Sequence, residues 1–255
     1  MICARCNHFA AAPGGPLCAQ CAVAPPPPGL PSVGTMGTPG PWLRSPVGLG
    51  RAAAAALGLV VAADLFAVWA DFLQLDIASD LMGGAQGAEV TRRAEHADNI
   101  FGISGGVQIL TLVISTVVYL CWFYRVRVNA EVFDQSAHSK SRGWAIGGWF
   151  TPVANLWFPR RIALDIWDAS TPWGERRSHG LVNAWWSLWL LSIVAGRSVF
   201  TSNNDAESAS ELHQAAGMML FADVVDIVTA LLAIAVVLRL TRMQHQKALA
   251  GPVPV

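Results

Sequence analysis

The sequence predicts an all-α membrane protein: four transmembrane helices, with an interfacial amphipathic or broken helix between the second and third, behind a small N-terminal cysteine module. Three observations predict it. Hydrophobic residues make up 53% of the 255 residues and charged ones only 13%, against about 25% charged in an ordinary soluble domain. Four apolar runs each reach the roughly 18–25 residues that cross a hydrocarbon core. The basic residues gather on one side of those runs. A large soluble helical bundle is the alternative that the run lengths disfavour.

Residues 1–24 carry Cys3, Cys6, Cys18 and Cys21, two C-x-x-C pairs separated by eleven residues. Two such knuckles present four thiolates in the manner of a closed, structural zinc site, and a segment this small needs a metal to fold. The rival is redox chemistry by one cysteine pair. The knuckles "CARCNH" and "CAQCAV" lack the glycine that many zinc ribbons carry after the second cysteine. His8 reads as an exposed neighbour and Cys121, inside the second run, as a small buried apolar residue. No apolar stretch follows a basic start, so no cleavable signal peptide is expected and the N-terminus is expected in the cytosol. Residues 25–46 include "PPPPGLPSVGTMGTPGPWLRSP", a Pro/Gly linker with no core pattern.

The membrane domain is expected over 47–243, with spans at 52–75, 101–124, 181–200 and 217–240, and residues 244–255 as a tail. Fourteen of the seventeen lysines and arginines precede the first span, lie between spans two and three, or end the chain. The opposite loops hold only Arg92 and Arg93 among eight acids. By the positive-inside rule both termini and the middle loop are cytoplasmic, in a multi-pass protein of the cell membrane.

Within the middle loop, 143–170 is nearly as apolar as a span. Its first part, "GWAIGGWFTPVANLWF", has sixteen residues, about 24 Å of helix against a core of about 30 Å. Gly147, Gly148 and Pro152 weaken helix further, so the segment is expected at the inner interface, lying on it or dipping in as a broken half-helix. After Pro159, "RRIALDIWDAS" reads as a short amphipathic helix, with Arg161, Asp165 and Asp168 on one face and Ile162, Ile166 and Ala169 on another. Eight of eleven tryptophans, Trp122, Trp144, Trp149, Trp157, Trp167, Trp173, Trp185 and Trp186, fall in this loop or at the adjoining span ends. They form either an anchoring collar or a docking platform for a ligand or partner.

The stretches "RVNAEVF", "SRGWAIGGWFTPVANLWFPRRIALDIWDAS" and "WWSLWLL" resemble a bacterial integral membrane family, common in actinobacteria, known as domain of unknown function 4328. The resemblance runs from about Gly50 to Arg239; Trp144, Trp149, Pro152, Asn155, Trp157, Pro159, Arg161, Asp165, Trp167 and Asp168 are the motif positions. It implies a multi-span membrane protein, often with an N-terminal cysteine-pair module, and it implies no activity.

Acids inside the spans are the most chemically suggestive feature. Asp64 and Asp71 share one face of the first span and Asp223 and Asp226 one face of the fourth. Counting along the helices puts Asp64 and Asp226 near mid-membrane, with Asp71 and Asp223 nearer the outer side. Arg197, in the third span, is expected at a comparable depth. Ionisable groups at such depth cost about 2.5–3.5 kcal/mol each, so they need partners, protons, water or a cation. They line a proton or cation pathway or a polar pocket, or they form a clasp that locks the helices.

No phosphate-binding Gly-rich loop, H-E-x-x-H or G-x-S-x-G is present, and the six histidines are scattered. An enzyme is therefore not expected. With formal charge zero, neither is nucleic acid binding. The expected role is a membrane-anchored interaction or sensory module, with a cytosolic protein partner met through the zinc module. The alternative is a small proton or cation channel or transporter. A homo-oligomer is compatible with either.

Overall fold

The computed structural model describes residues 2–4, 8, 10–11, 15, 18–23, 43–172, 175, 177–205 and 208–251. Cys6, Trp173 and linker residues 25–42 lie outside them. The chain divides into a unit over Met1–Pro41 and a unit over Trp42–Val255. In the first, a short antiparallel bridge joins Ile2 and Ala10, and one helical stretch, α1, covers Ala19–Val23.

The second unit is helical throughout its regular structure: α2 (Val47–Met82), α3 (Ala88–Phe133), α4 (Trp144–Phe150), a 3₁₀ turn (Ala154–Leu156), α5 (Phe158–Ser170), α6 (Gly180–Asp205) and α7 (Ala209–Ala250). Among the described residues, α2, α3 and α7 are long and apolar enough to cross a membrane. The apolar run expected as a third span lies within α6. At 1.5 Å per residue the 36, 46 and 42 residues of α2, α3 and α7 reach well beyond a hydrocarbon core. Polar turns therefore extend from both ends of the apolar runs.

Consecutive long helices run antiparallel. Gly83, and Gly84 and Gly87 with φ of 80° and 115°, make the turn from α2 to α3, and a Ser208–Glu211 capping box starts α7. Gly50 packs on Thr241 and Ser79 meets His213, so α2 and α7 pair along their length. Gln74 reaches Asp98 at one end of α2, and Arg44 reaches Asn129 at the other.

Small side chains form the helix contacts. Helix α2 buries Gly50, Ala53, Ala56, Ala63, Ala67, Ala70 and Ala78, while Leu59, Leu65, Trp69 and Phe72 point outward. Helix α3 likewise exposes Ile109, Leu110, Leu112 and Val113. Small residues inside and large apolar ones outside is the pattern of helices packed in lipid, where close backbone approach drives association.

Large apolar side chains do form a core at the basic end of the bundle, where α5 packs among α3, α6 and α7: Trp122, Phe123, Val126, Ile162, Ile166, Trp167, Val182, Trp185, Val237 and Met243. Four expectations change here. Helix α4 continues through Gly147 and Gly148, because Gly148 fits against Phe158, whose Cβ would lie 3.3 Å from an added methyl; the break comes at Thr151 and Pro152. Helix α5 buries Ile162, Ile166 and Ala169 and exposes Arg161 and Asp168, but Asp165, expected on the polar face, is buried. The tail read from 244 is helical through Ala250, with Gln244 and Lys247 buried. Cys121 is exposed, since its neighbours Trp122 and Phe123 take the inward positions.

Candidate functional site

In the N-terminal unit the sulfur atoms of Cys3, Cys18 and Cys21 lie within 4.8 Å of one another, and the Cys18 backbone N–H donates to Cys3 Sγ at 3.2 Å. Thiolates about 2.3 Å from a tetrahedral ion stand roughly 3.8 Å apart, so this cluster fits a metal. His8 is exposed. The fourth expected ligand, Cys6, is outside the described residues.

In the bundle, the register that sets Gly50 beside Thr241 brings Asp64 level with Asp226. Asp64 and Asp71 are 4% and 1% exposed; Asp223 and Asp226 are half-buried. The nitrogen of Gln108 on α3 donates one hydrogen to Asp64 Oδ1 at 3.1 Å and the other to Asp223 Oδ1 at 3.0 Å. The carboxyl groups of Asp71 and Asp223 meet, and Ser192 of α6 lies beside Asp226. Oδ2 of Asp64 and Oδ2 of Asp71 are buried without a hydrogen-bond partner. The four acids are thus drawn together from two helices. Arg197 stands exposed on α6; the contacts that organise the acids run through Gln108.

The middle-loop motif divides by role. Trp149 packs against Tyr119, Phe123, Trp185, Trp186 and Trp189. Its Nε1 and that of Trp167 are buried without a partner, and Trp122 Nε1 donates to Thr241 Oγ1 at 3.0 Å. Around Trp149 the rings meet mostly edge to face, and the indole nitrogens of Trp149 and Trp167 are dry. Trp144 stands edge-on to Phe158, and Trp157 is half exposed. Pro152 lies in the turn after α4, Pro159 occupies the first turn of α5, and the Asn155 side-chain oxygen is buried without a partner.

Arg161, Asp165 and Asp168 do not share one wet face. Asp165 turns inward, accepting from Ser139 N and Oγ at 2.9 and 2.6 Å, with Arg161 Nε at 3.3 Å. Asp168 is exposed and pairs with His179 at 2.6 Å. The two carboxylates pin different loops onto α5. Nearby, Glu131 joins Arg127 and Arg142. Burial pushes the Glu131 carboxyl up, but the hydrogen bonds from Arg142 and Arg127 outweigh it and hold it below the usual range.

Residues 86–242, well over half the chain, match the family described as Domain of unknown function (DUF4328). The chain belongs to this family. A search of the curated proteins and one of the solved structures gave no match. The DUF4328 segment is shifted from the resemblance read over 50–239: it begins after α2 and contains α4 to α6. It supplies Gln108, Asp223 and Asp226, whereas Asp64 and Asp71 lie in α2, before it. The aspartate cluster therefore joins the DUF4328 segment to a helix outside it.

Sequence reasoning missed Gln108, although a lone glutamine within an apolar run signals a buried polar contact. It also missed the knot at the basic end. Asn129 Nδ2 donates to Arg44 O at 2.7 Å and Gln244 Oε1 at 3.2 Å, and Gln244 Nε2 donates to Val126 O at 2.8 Å and Ser170 Oγ at 3.1 Å. Lys247 Nζ caps the end of α5 through the carbonyls of Ala169 and Thr171 at 2.8 and 2.9 Å. These residues follow the apolar runs in polar sequence, where nothing in the pattern separates a buried amide from a solvated one.

Proposed function

We propose that the protein is a four-span membrane protein of the cell membrane, both termini cytoplasmic, acting as a membrane-anchored sensory or interaction module whose bundle takes up a cation or proton at the aspartate cluster. The observation that carries this reading is the meeting of Asp64 and Asp223 at Gln108, with Asp71 against Asp223 and carboxylate oxygens left over. Acids held together in lipid require a proton or cation. Occupancy then changes how tightly α2 and α7 associate. Helix α6 serves as the fourth crossing, supported by its antiparallel packing on α7 and the one-sided arginines. The N-terminal thiolate cluster holds zinc and meets a cytosolic partner. The exposed Phe150, Val153 and Trp157 around the break after α4 support seating of that turn in the membrane interface.

A second reading, a proton or cation pathway, is favoured by the order of the acids: Asp71 and Asp223 toward the acidic end, Asp64 and Asp226 deeper. Proteoliposome flux with wild type and Asp64→Asn/Asp226→Asn protein separates the two. Flux lost in the variant supports the pathway. No wild-type flux, with a cation- or proton-dependent melting temperature that the variant loses, supports the sensor. No dependence of either kind removes both. Thiol labelling of single-cysteine variants at His138 and at the chain's end tests the topology; opposite faces would contradict it.

A further inference from the structure

A second charged feature lies at the other end of α7. Arg239 and Arg242 stand on successive turns of that helix, and Arg177, from the segment leading into α6, joins them around a cavity of about 200 Å³ also lined by Met243 and Gln246. Among the described residues no carboxylate lines the cavity. Arg177 pairs with Glu175 at 2.8 Å, while among the described residues neither Arg239 nor Arg242 has a carboxylate within ion-pair distance. Among the described residues, two positive charges therefore stand without a carboxylate partner beside a cavity bounded by two separate segments.

We infer that this cavity binds a phosphate-bearing anion, with the headgroup of an anionic lipid as its source. Guanidinium forks match phosphate oxygens in bidentate fashion, and two of them on adjacent turns offer donors to one tetrahedral group. The Gln246 side chain, a further polar lining group, suits an oxyanion, whereas the small volume does not suit a large apolar ligand. Location favours the lipid source. Arg239 closes the apolar run of α7, at the level where a helix leaves the hydrocarbon and lipid phosphates lie, and basic pockets at that level select anionic headgroups. This inference is independent of the aspartate cluster, which lies about four turns away along α7.

The test is lipid retention by the full-length protein in neutral detergent, measured by native mass spectrometry and by the rise in melting temperature on adding phosphatidylglycerol, phosphatidylcholine or inorganic phosphate. Phosphatidylglycerol is expected to bind in preference to phosphatidylcholine. Arg239→Gln and Arg242→Gln each weaken it by about tenfold or more, and Arg51→Gln, at an exposed arginine of α2 that does not line the cavity, leaves it unchanged. Lysine replacements at 239 and 242 keep the charge and the fold but lose the fork, and fall between wild type and glutamine. Inorganic phosphate that stabilises the wild type alone and displaces phosphatidylglycerol supports the site with a soluble anion as its source. Equal binding by wild type and the Arg239→Gln/Arg242→Gln protein, or an equal loss in Arg51→Gln, overturns the inference.

Discussion

Replacing Gln108 by Leu removes both donors that join α3 to the acids of α2 and α7 while keeping the side chain's size. The amide nitrogen makes two hydrogen bonds, at 3.1 and 3.0 Å. In water-soluble proteins a bond to a charged group contributes about 1.5–3 kcal/mol. Between membrane helices the average is nearer 0.6, with a maximum of about 1.7. Two bonds lost together should therefore destabilise the bundle by about 1–3 kcal/mol. The measurement is reversible unfolding in mixed micelles, followed by tryptophan fluorescence, for wild type, Gln108→Leu, Asp64→Asn/Asp223→Asn and the triple variant. If the amide holds the carboxylates, the cycle shows a coupling of about 1 kcal/mol or more. A Gln108→Leu effect below about 0.5 kcal/mol, equal in both backgrounds, would show that the amide is incidental and the cluster is held by helix packing alone.

Other predictions concern packing, caps, pH and metal. Gly50→Val, whose Cβ would come 2.9 Å from Thr241 Cγ2, forces α2 from α7 and disturbs the Trp122 bond to Thr241; a loss of about 1–3 kcal/mol in the same unfolding assay is expected. Lys247→Met strips the cap from α5 and should cost about 1–3 kcal/mol, with faster hydrogen exchange at residues 169–171. His138 has both ring nitrogens buried. Burial, and then the charge of Arg127, lower its value below 6.5, against the opposing pull of the Ala130 backbone and then of Glu131 and Asp165. The unfolded chain therefore binds the proton first, so stability falls as pH drops from about 6.5 toward the folded-state value. Melting curves between about pH 5 and 8 should show a slope that His138→Gln flattens. Zinc content by mass spectrometry should fall to background on chelation or in Cys18→Ser/Cys21→Ser, with the bundle's melting temperature unchanged; zinc retained in that variant would remove the cysteine assignment.

The apolar runs made the long helices legible because lipid-crossing length is a property of composition alone. The aspartates were legible for the same reason: acids stand out in apolar sequence, and a period of 3.6 places them on faces. Their counterpart was less so. Arg197 was placed by its depth alone, and depth does not fix azimuth; the contact from α3, through Gln108, needed the packed structure to be seen. In the middle loop, Pro152 and Pro159 located the break and the helix start, but the apolar and polar faces of α5 could not reveal that Asp165 is buried. A charged residue reads as solvated unless the sequence also shows the Ser139 backbone that receives it. The dry tryptophan cluster was hidden by a similar ambiguity, since an interfacial belt and a packed core draw on the same side chains.

Helix α7 carries Asp223 and Asp226 toward one end and Gln244 and Lys247 toward the other, about 30 Å apart along one uninterrupted rod. Because Gln244 and Lys247 grip α3 and the close of α5, a tilt of that rod at the acids cannot be absorbed locally. Such a tilt would act as leverage on the tryptophan-packed plate at the far end, which would make the state of the acids and the shape of the polar surface mechanically one variable.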